Sequence, residues 1–416
     1  MRQFDQQELF DARQERQDLP ADLLTTLARQ VAEFHDQLPG VAQDSTLGTP
    51  EAVFAAMQEN FDQIRPLLSD KVLLSQLTNL EDWTRTTFER YRDQIAQRRQ
   101  DGFVRECHGD LHLANITVFD GKVTVFDGIE FNEPFRWIDV INDLAFLLMD
   151  LESRQEFGLA NRVLNSYLEY RGDFEGLSLL ALYKAYRAMV RAKIALFTLG
   201  NPTLSETEKA SLMQRYQDYA NLAESYGEIP NHFMLATCGL SASGKTCVSA
   251  EMAAELGLVR LRSDIERKRL FDLKPLDESK SGIGDNIYTE DANQKTYQRL
   301  ADLAATLLEA GLPVIVDAAS LKVSERTLIA DVAESHCVPF TLLHCEAPEN
   351  LRRQWVRQRT GDASEATEEL LDAQMTWFEP LTQEEKAHTV HIHTEQEHVA
   401  EALADRIRQH LGLQLA

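Results

Sequence analysis

Cysteine, glycine and proline are all scarce in this chain of 416 residues, at 5, 19 and 12 copies. The five cysteines (Cys107, Cys238, Cys247, Cys337 and Cys345) form no CxxC pair and no even framework, which excludes a disulfide scaffold and fits reduced thiols. So little glycine and proline, without a repeat, excludes collagen-like and low-complexity chains. Basic residues are also in deficit. Forty-two Lys and Arg stand against 67 Asp and Glu, a net charge of −25. That balance argues against broad binding to nucleic acid or to an anionic membrane, both of which need a positive surface, while leaving room for a local basic pocket. Long apolar runs are missing too. A spanning helix needs about 18 uncharged apolar residues, and the best stretch, Leu177–Leu199, is interrupted by Lys184, Arg187, Arg191 and Lys193. The opening MRQFDQQELFDARQER carries acids early and has no apolar core, so it reads as neither a signal nor a transit peptide. The expectation is a cytoplasmic protein.

What is present is ordinary globular material, 44% hydrophobic and 26% charged, in a length that suggests two or three domains at about 150 residues each. Residues 1–100 carry helical periodicity. Leu23, Leu27, Val31 and Phe34 recur at spacings of three and four, and a second helical run covers Leu80–Arg99. Between Glu106 and Asp127 the period shortens. ITVF and KVTVF are β-branched runs joined by Asp120-Gly121, a hairpin signal. Helices are expected again from about Ile138 to Tyr226. A short linker, SYGEIPNHF, is centred on Pro230, and beyond it apolar strands alternate with helices. FMLATC, VRLR (Val259–Arg262), VIVD (Val314–Asp317), FTLLHC (Phe340–Cys345) and TVHIHT (Thr389–Thr394) read as five strands of a parallel sheet with both faces covered. The expected architecture is therefore a mainly α domain with a short β hairpin over 1–228, then an α/β domain over 232–416.

The sharpest motif is Gly239-Leu240-Ser241-Ala242-Ser243-Gly244-Lys245-Thr246, a complete GxxxxGK[ST] between a predicted strand and a predicted helix. Such a loop closes backbone N–H groups around phosphate oxygens, brings a lysine to the β/γ-phosphates and a hydroxyl to Mg²⁺, and aims a helix N-terminus at the same anion. Matching parts surround it. Asp264 lies just past the second strand, where α/β sheets bind ligands, and either orients an acceptor hydroxyl or caps the following helix. Asp317 ends the third strand and either binds Mg²⁺ or caps its loop. Arg352, Arg353, Arg357 and Arg359 crowd before Gly361, offering one or two guanidiniums for a transferring phosphate and leaving the rest to solvated helix surface.

These residues resemble the small P-loop kinases, a group that includes polynucleotide kinase, gluconate kinase and zeta-toxin-like enzymes. The resemblance covers roughly Phe233–Ala416. It implies a nucleoside-monophosphate-kinase-like sheet, an Arg-bearing lid at about Leu351–Ala366, Asp264 as the acceptor-activating acid and Arg267 as its basic companion three residues on.

A second signature lies upstream. Cys107-His108-Gly109-Asp110-Leu-His112-Leu-Ala-Asn115 reads HGDxxxxN, with Asp127-Gly128 twelve residues after Asn115. This resembles the catalytic segment of aminoglycoside and choline phosphotransferases, and implies Asp110 as base with Asn115 and Asp127 on Mg²⁺. The alternative is a structural turn in which Asp110 and Asn115 bond local backbone. Such kinases carry a β-rich lobe first, with a glycine loop and a strand lysine. Here the sequence before Cys107 offers only Gly40, Gly48 and Gly102, and one lysine, Lys71. The opening MRQF resembles the strand that leaves that lobe. The whole chain resembles a bacterial fusion of a phosphotransferase-like domain, begun late, with a P-loop ATP-binding domain. The first domain is accordingly expected to transfer phosphate poorly.

Weaker signals are several. His108 and His112 are four apart but on a turn, and His391 and His393 share a strand face, with no further ligand evident from the sequence. Tyr183, Arg187 and Arg191 share one helical face that either meets an anion or covers acidic neighbours. The expected function is transfer of the γ-phosphate of ATP, with Mg²⁺, to a small-molecule hydroxyl by the second domain. The competing readings are an ATP-gated regulatory module without turnover and a toxin-like nucleotide-sugar kinase.

Overall fold

The computed structural model describes the chain apart from residues 1–4, 229–231, 280, 282–284, 359–362, 366, 397–398 and 414–416. The chain divides into two compact units, Met1–Val163 with Gly176–Ile229, and Leu164–Glu175 with Pro230–Ala416.

The first unit is helical for reasons readable in its caps. Asp70 accepts from the amides of Val72 and Leu73 and starts the helix Lys71–Gln100, and Ser205 with Glu208 closes a reciprocal capping box on Glu206–Ser225. The helices Pro50–Ile64, Val140–Ser153 and Leu180–Leu199 meet around Phe61, Ile64, Leu77, Phe146, Met149, Met189 and Tyr216. Val140–Ser153 is buried along nearly its whole length, so its apolar stripe runs almost all round and it forms the axis of the unit. Two small antiparallel pairs interrupt the helices. One joins β1 (Val104–Glu106) to β4 (Trp137–Asp139), and the other is the hairpin β2 (Ile116–Phe119) with β3 (Lys122–Val125). Asp120 and Gly121 both take positive φ, 49° and 74°, which a two-residue hairpin turn requires. The helical run expected from Ile138 thus begins two residues later, because Trp137–Asp139 is held as a strand by β1.

In the second unit five strands form one parallel sheet. These are β5 (Met234–Cys238), β6 (Val259–Arg262), β7 (Val314–Asp317), β8 (Phe340–Glu346) and β9 (Thr389–His393), ordered β6-β7-β5-β8-β9. β5 and β7 are buried along their whole length, which is why they read as continuous apolar runs rather than alternating ones. One face packs against the helices Lys245–Leu256 and Ala400–Leu411 through Leu235, Leu343, Cys345, Val390, Ile392, Met252, Leu403 and Ile407. Burying each such aliphatic side chain contributes about 1.5–3 kcal/mol before chain entropy is charged against it. The sheet brings the C-terminal ends of β5, β6 and β7 together, and ligands bind at that edge in open α/β sheets. Among the described residues, no helix is long and apolar enough to cross a membrane.

Candidate functional site

At the end of β5 the chain must turn sharply to enter the helix Lys245–Leu256. Gly239 and Gly244 permit this. Their φ values are 142° and 82°, and a Cβ on Gly244 would stand 2.8 Å from Cβ of Thr394, just past β9. Gly244 is the N-cap of that helix, so the first amides of the helix and those of the loop face one concavity. Lys245 Nζ donates to Leu240 O at 2.7 Å, folding back over the loop. Burial drives the pKa of this lysine down, against the opposing pull of Asp317 and Asp264. Ser241 N donates to Gln374 Oε1 at 2.7 Å, from the helix Glu368–Trp377.

The loop opens on a cavity of about 1020 Å³. Lys245, Thr246, Asp264 and Asp317 all line it, so four residues spread over 73 positions of sequence converge on one space. Asp264 is the second residue of the helix Ser263–Leu270, whose N-cap is Arg262 with no side-chain cap bond. Its carboxylate is therefore on the cavity wall rather than at the cap. Arg267, one turn on, is buried. It donates to Ile287 O at 3.1 Å and to Asn293 Oδ1 at 2.9 Å, and lies 5.4 Å from the Tyr288 ring centroid, while its Nε has no hydrogen-bond partner. Asp317 Oδ2 is buried and accepts no hydrogen bond, with Arg262 Nε 3.9 Å away. A buried carboxylate oxygen left in that state suits a cation, and with the Thr246 hydroxyl on the same wall the donor set is the all-oxygen kind that Mg²⁺ takes.

The arginine run is placed differently. Arg357 is exposed and pairs with Glu368 at 2.6 and 2.9 Å, Arg353 pairs with Glu349 and Asp372, and Arg352 donates to Ala347 O. None of these three lines the cavity, and Arg359 lies outside the described residues, as do parts of the expected lid at 359–362 and 366. Among the described residues, the cations that do line it are Lys245, Arg262, Arg267 and Lys322. Sequence reasoning passed over Gln374, Tyr288, Asn293, Lys322, Trp355 and Trp377, which also line it. The one usable signal was that two of the chain's four tryptophans follow β8, Trp355 within the arginine run and Trp377 beyond it.

The HGDxxxxN segment is equally organised. Gly109 has φ 82°, and a Cβ there would meet Phe135 O at 2.7 Å. The Asp143 carboxylate, fully buried, accepts from His108 N at 3.2 Å and Gly109 N at 2.8 Å, and lies 3.1 Å from His35 Nε2. Arg187 donates to Gly109 O at 3.0 Å and Asn142 Oδ1 at 2.8 Å, so the basic face of its helix fastens this loop. Asn115 Nδ2 donates to Asp110 Oδ2 and to Asp110 O, each at 3.0 Å, and His112 Nε2 stands 3.3 Å from Asp110 Oδ2. Burial pushes the Asp110 carboxyl up, but the contacts with His112 and Asn115 and the Arg187 charge outweigh it and hold it below its ordinary value. Phe126 N donates to Asn115 O across the hairpin, and the next residue, Asp127, is exposed with φ 60°. A smaller cavity, about 260 Å³, opens beside His108, Leu111 and Asp143.

Comparison with known proteins agrees with both motifs. A family model described as the phosphotransferase enzyme family matches residues 4–180, and one described as an AAA domain matches residues 234–381. The two matches correspond to a fusion of a phosphotransferase-family segment with a P-loop kinase segment, and they support a phosphotransferase in general terms. Kinases of these families bind ATP, generally with Mg²⁺. Proteins described as uncharacterized from Mycobacterium tuberculosis and Mycobacterium bovis are 28% identical over 357 residues, spanning 84% of this chain and 69% of theirs. A sugar kinase from Janibacter sp. is 21% identical over 44% of this chain and 95% of its own, at TM-score 0.35. A gluconokinase from Sinorhizobium meliloti is 20% identical over 44% and 91%, at TM-score 0.31.

Proposed function

We propose that the P-loop unit transfers the γ-phosphate of ATP to the hydroxyl of a small molecule. The observation that carries this reading is the convergence of Lys245, Thr246, Asp264 and Asp317 on one cavity about 1020 Å³ in volume, large enough for a nucleotide and a second ligand. The amides of residues 239–246 and Lys245 bind the phosphates. Thr246 and Asp317 hold Mg²⁺, which when bound screens the charge of the β- and γ-phosphates. Asp264 accepts the proton of the acceptor hydroxyl as its oxygen bonds to the γ-phosphorus and the bond from that phosphorus to the ADP oxygen breaks. Arg262, Arg267 and Lys322 supply positive charge at the cavity wall, and Arg357 would join them only by leaving Glu368.

The first unit serves in this reading as a scaffold or acceptor surface, in which Asn115 is bonded to Asp110 and the motif residues Asp110, Asn115 and Asp127 do not carry the transfer. Its cavity of about 260 Å³ falls below the usual range of about 300–1,000 Å³ for ligand pockets.

The test is transfer of labelled γ-phosphate from Mg-ATP across sugars, aminoglycosides, nucleosides and nucleotide sugars. Wild type, Lys245→Ala, Asp264→Asn and Asp110→Ala are run side by side. Transfer abolished in Lys245→Ala, reduced about 10²–10⁴-fold in Asp264→Asn and kept in Asp110→Ala is the expected result. Loss confined to Asp110→Ala would move the chemistry to the first unit. Tight ATP binding with no transfer by any variant would replace the enzyme with a nucleotide-gated module.

A further inference from the structure

The two strands at the open edge of the sheet carry a cluster of metal-ligating side chains that phosphoryl transfer does not use. In the parallel register of β8 and β9, His344 lies opposite His391 and Glu346 opposite His393. Side chains alternate along a strand, so all four project from one face as a two-by-two patch. The other face carries the apolar residues Leu343, Cys345, Val390 and Ile392. β9 is the edge strand, and the rings of His391 and His393 are exposed there.

The geometry is close to that of a coordination shell. His344 Nδ1 and His391 Nδ1 are 3.3 Å apart. Glu346 Oε2 is 3.8 Å from His391 Nδ1, and the ligand atoms of His344, Glu346 and His391 all lie within 4.8 Å of one another. With Zn–N bonds near 2.0–2.1 Å, two ligands of a tetrahedral ion stand about 3.3 Å apart, so the imidazole pair already has the required separation. The carboxylate stands 3.8 Å from His391 Nδ1 and 3.9 Å from His344 Nε2, and rotation of the half-exposed Glu346 side chain brings it to coordination distance. The His344 ring is stacked on Phe378, with centroids 5.8 Å apart, which fixes the ring plane.

A second group with ligating atoms, His35, Cys107 and Asp143, offers a contrast. It is wholly buried, Asp143 already accepts from two backbone amides, and burial pushes the Cys107 thiol far up. That set is committed to holding the loop at His108.

We propose that His344, Glu346 and His391 bind a first-row divalent transition metal of the Zn²⁺ class, with His393 or water completing the shell, and that the ion ties the edge strand β9 to β8. Two imidazoles with a carboxylate suit Zn²⁺ and its neighbours better than Mg²⁺. The site does not depend on the chemistry proposed for the P-loop.

The experiment uses the full chain, stripped with a chelator, exchanged into metal-free buffer without nucleotide, and titrated with Zn²⁺ against a chromophoric competitor. Wild type is compared with Glu346→Gln, His391→Ala and the control His410→Ala, whose ring belongs to the helix Ala400–Leu411. Glu346 and His391 have side chains about half exposed, at 45% and 51%, so neither change removes core packing. Wild type and control should each bind one Zn²⁺ at micromolar or lower Kd, with a rise in thermal midpoint, because an ion that binds only the folded chain stabilises it. Each of the other variants should bind at least tenfold more weakly and lose the thermal shift. Absence of stoichiometric Zn²⁺ binding by wild type, or affinity within threefold of wild type in both variants, would overturn the proposal.

Discussion

The side-chain carbonyl of Gln374 accepts a hydrogen bond from the Ser241 amide at 2.7 Å, so a residue 133 positions away occupies one of the donors of the glycine loop. That amide belongs to the set a bound phosphate claims, and the Lys245 ammonium is likewise engaged, donating to Leu240 O. Both contacts have to be exchanged for phosphate contacts when ATP enters.

Gln374→Leu keeps the approximate volume of the side chain and removes the competing acceptor. With one net hydrogen bond of about 0.5–1.5 kcal/mol no longer opposing binding, Mg-ATP should bind about 2–10-fold tighter by calorimetry. Weaker binding in the variant would mean that Gln374 supports the nucleotide-bound loop instead.

Asp143→Ala should destabilise the first unit. The carboxylate satisfies His108 N, Gly109 N and His35 from a fully buried position, and its loss strands the two amides and removes a partner of His35. A cost of about 3–5 kcal/mol is expected in urea unfolding, with Mg-ATP binding at the P-loop kept in the conditions where the chain is folded. A cost below about 1 kcal/mol would show that water replaces the carboxylate freely.

Acid stability should report on Asp110. Its folded pKa lies below the ordinary value of 3.8, so between those two values the unfolded chain binds more protons and stability climbs with pH. The contribution is complete above 3.8 and is lost as pH falls through the lowered value. Asp110→Asn should therefore lose less stability than wild type between about pH 5 and about pH 3, read as the shift in urea midpoint. Equal shifts in the two proteins would remove Asp110 from the set of groups that resist acid.

Much of this arrangement could be read directly. The runs at Met234–Cys238, Val259–Arg262, Val314–Asp317, Phe340–Glu346 and Thr389–His393 are strands where the apolar blocks placed them, and the glycine loop meets the helix Lys245–Leu256 at the residue expected. Asp120-Gly121 turns the hairpin because few other pairs tolerate two positive φ angles in succession. Asp264 and Asp317 line the cavity because strand ends at one sheet edge lie close to the P-loop at that edge.

Other features had no local signature. Gln374 looks like any polar helix residue until the fold sets it against Ser241, and Arg357 looks like a phosphate clamp until Glu368 takes it up. The patch of His344, Glu346, His391 and His393 needs the register of β8 against β9, and a slip of one residue would turn two of the four to the opposite face.

The five parallel strands, the hairpin, the phosphate-binding loop and the two kinase-like motifs are legible in the sequence, because periodicity, turn chemistry and short spacings act over a few residues; the pairing of Val104–Glu106 with Trp137–Asp139 is not. Only the tertiary structure decided which charged and polar side chains face the cavity and which are consumed in pairs. Those choices rest on distances between residues far apart in the chain, and a hydrogen bond or ion pair exists or fails within an ångström that no local pattern records.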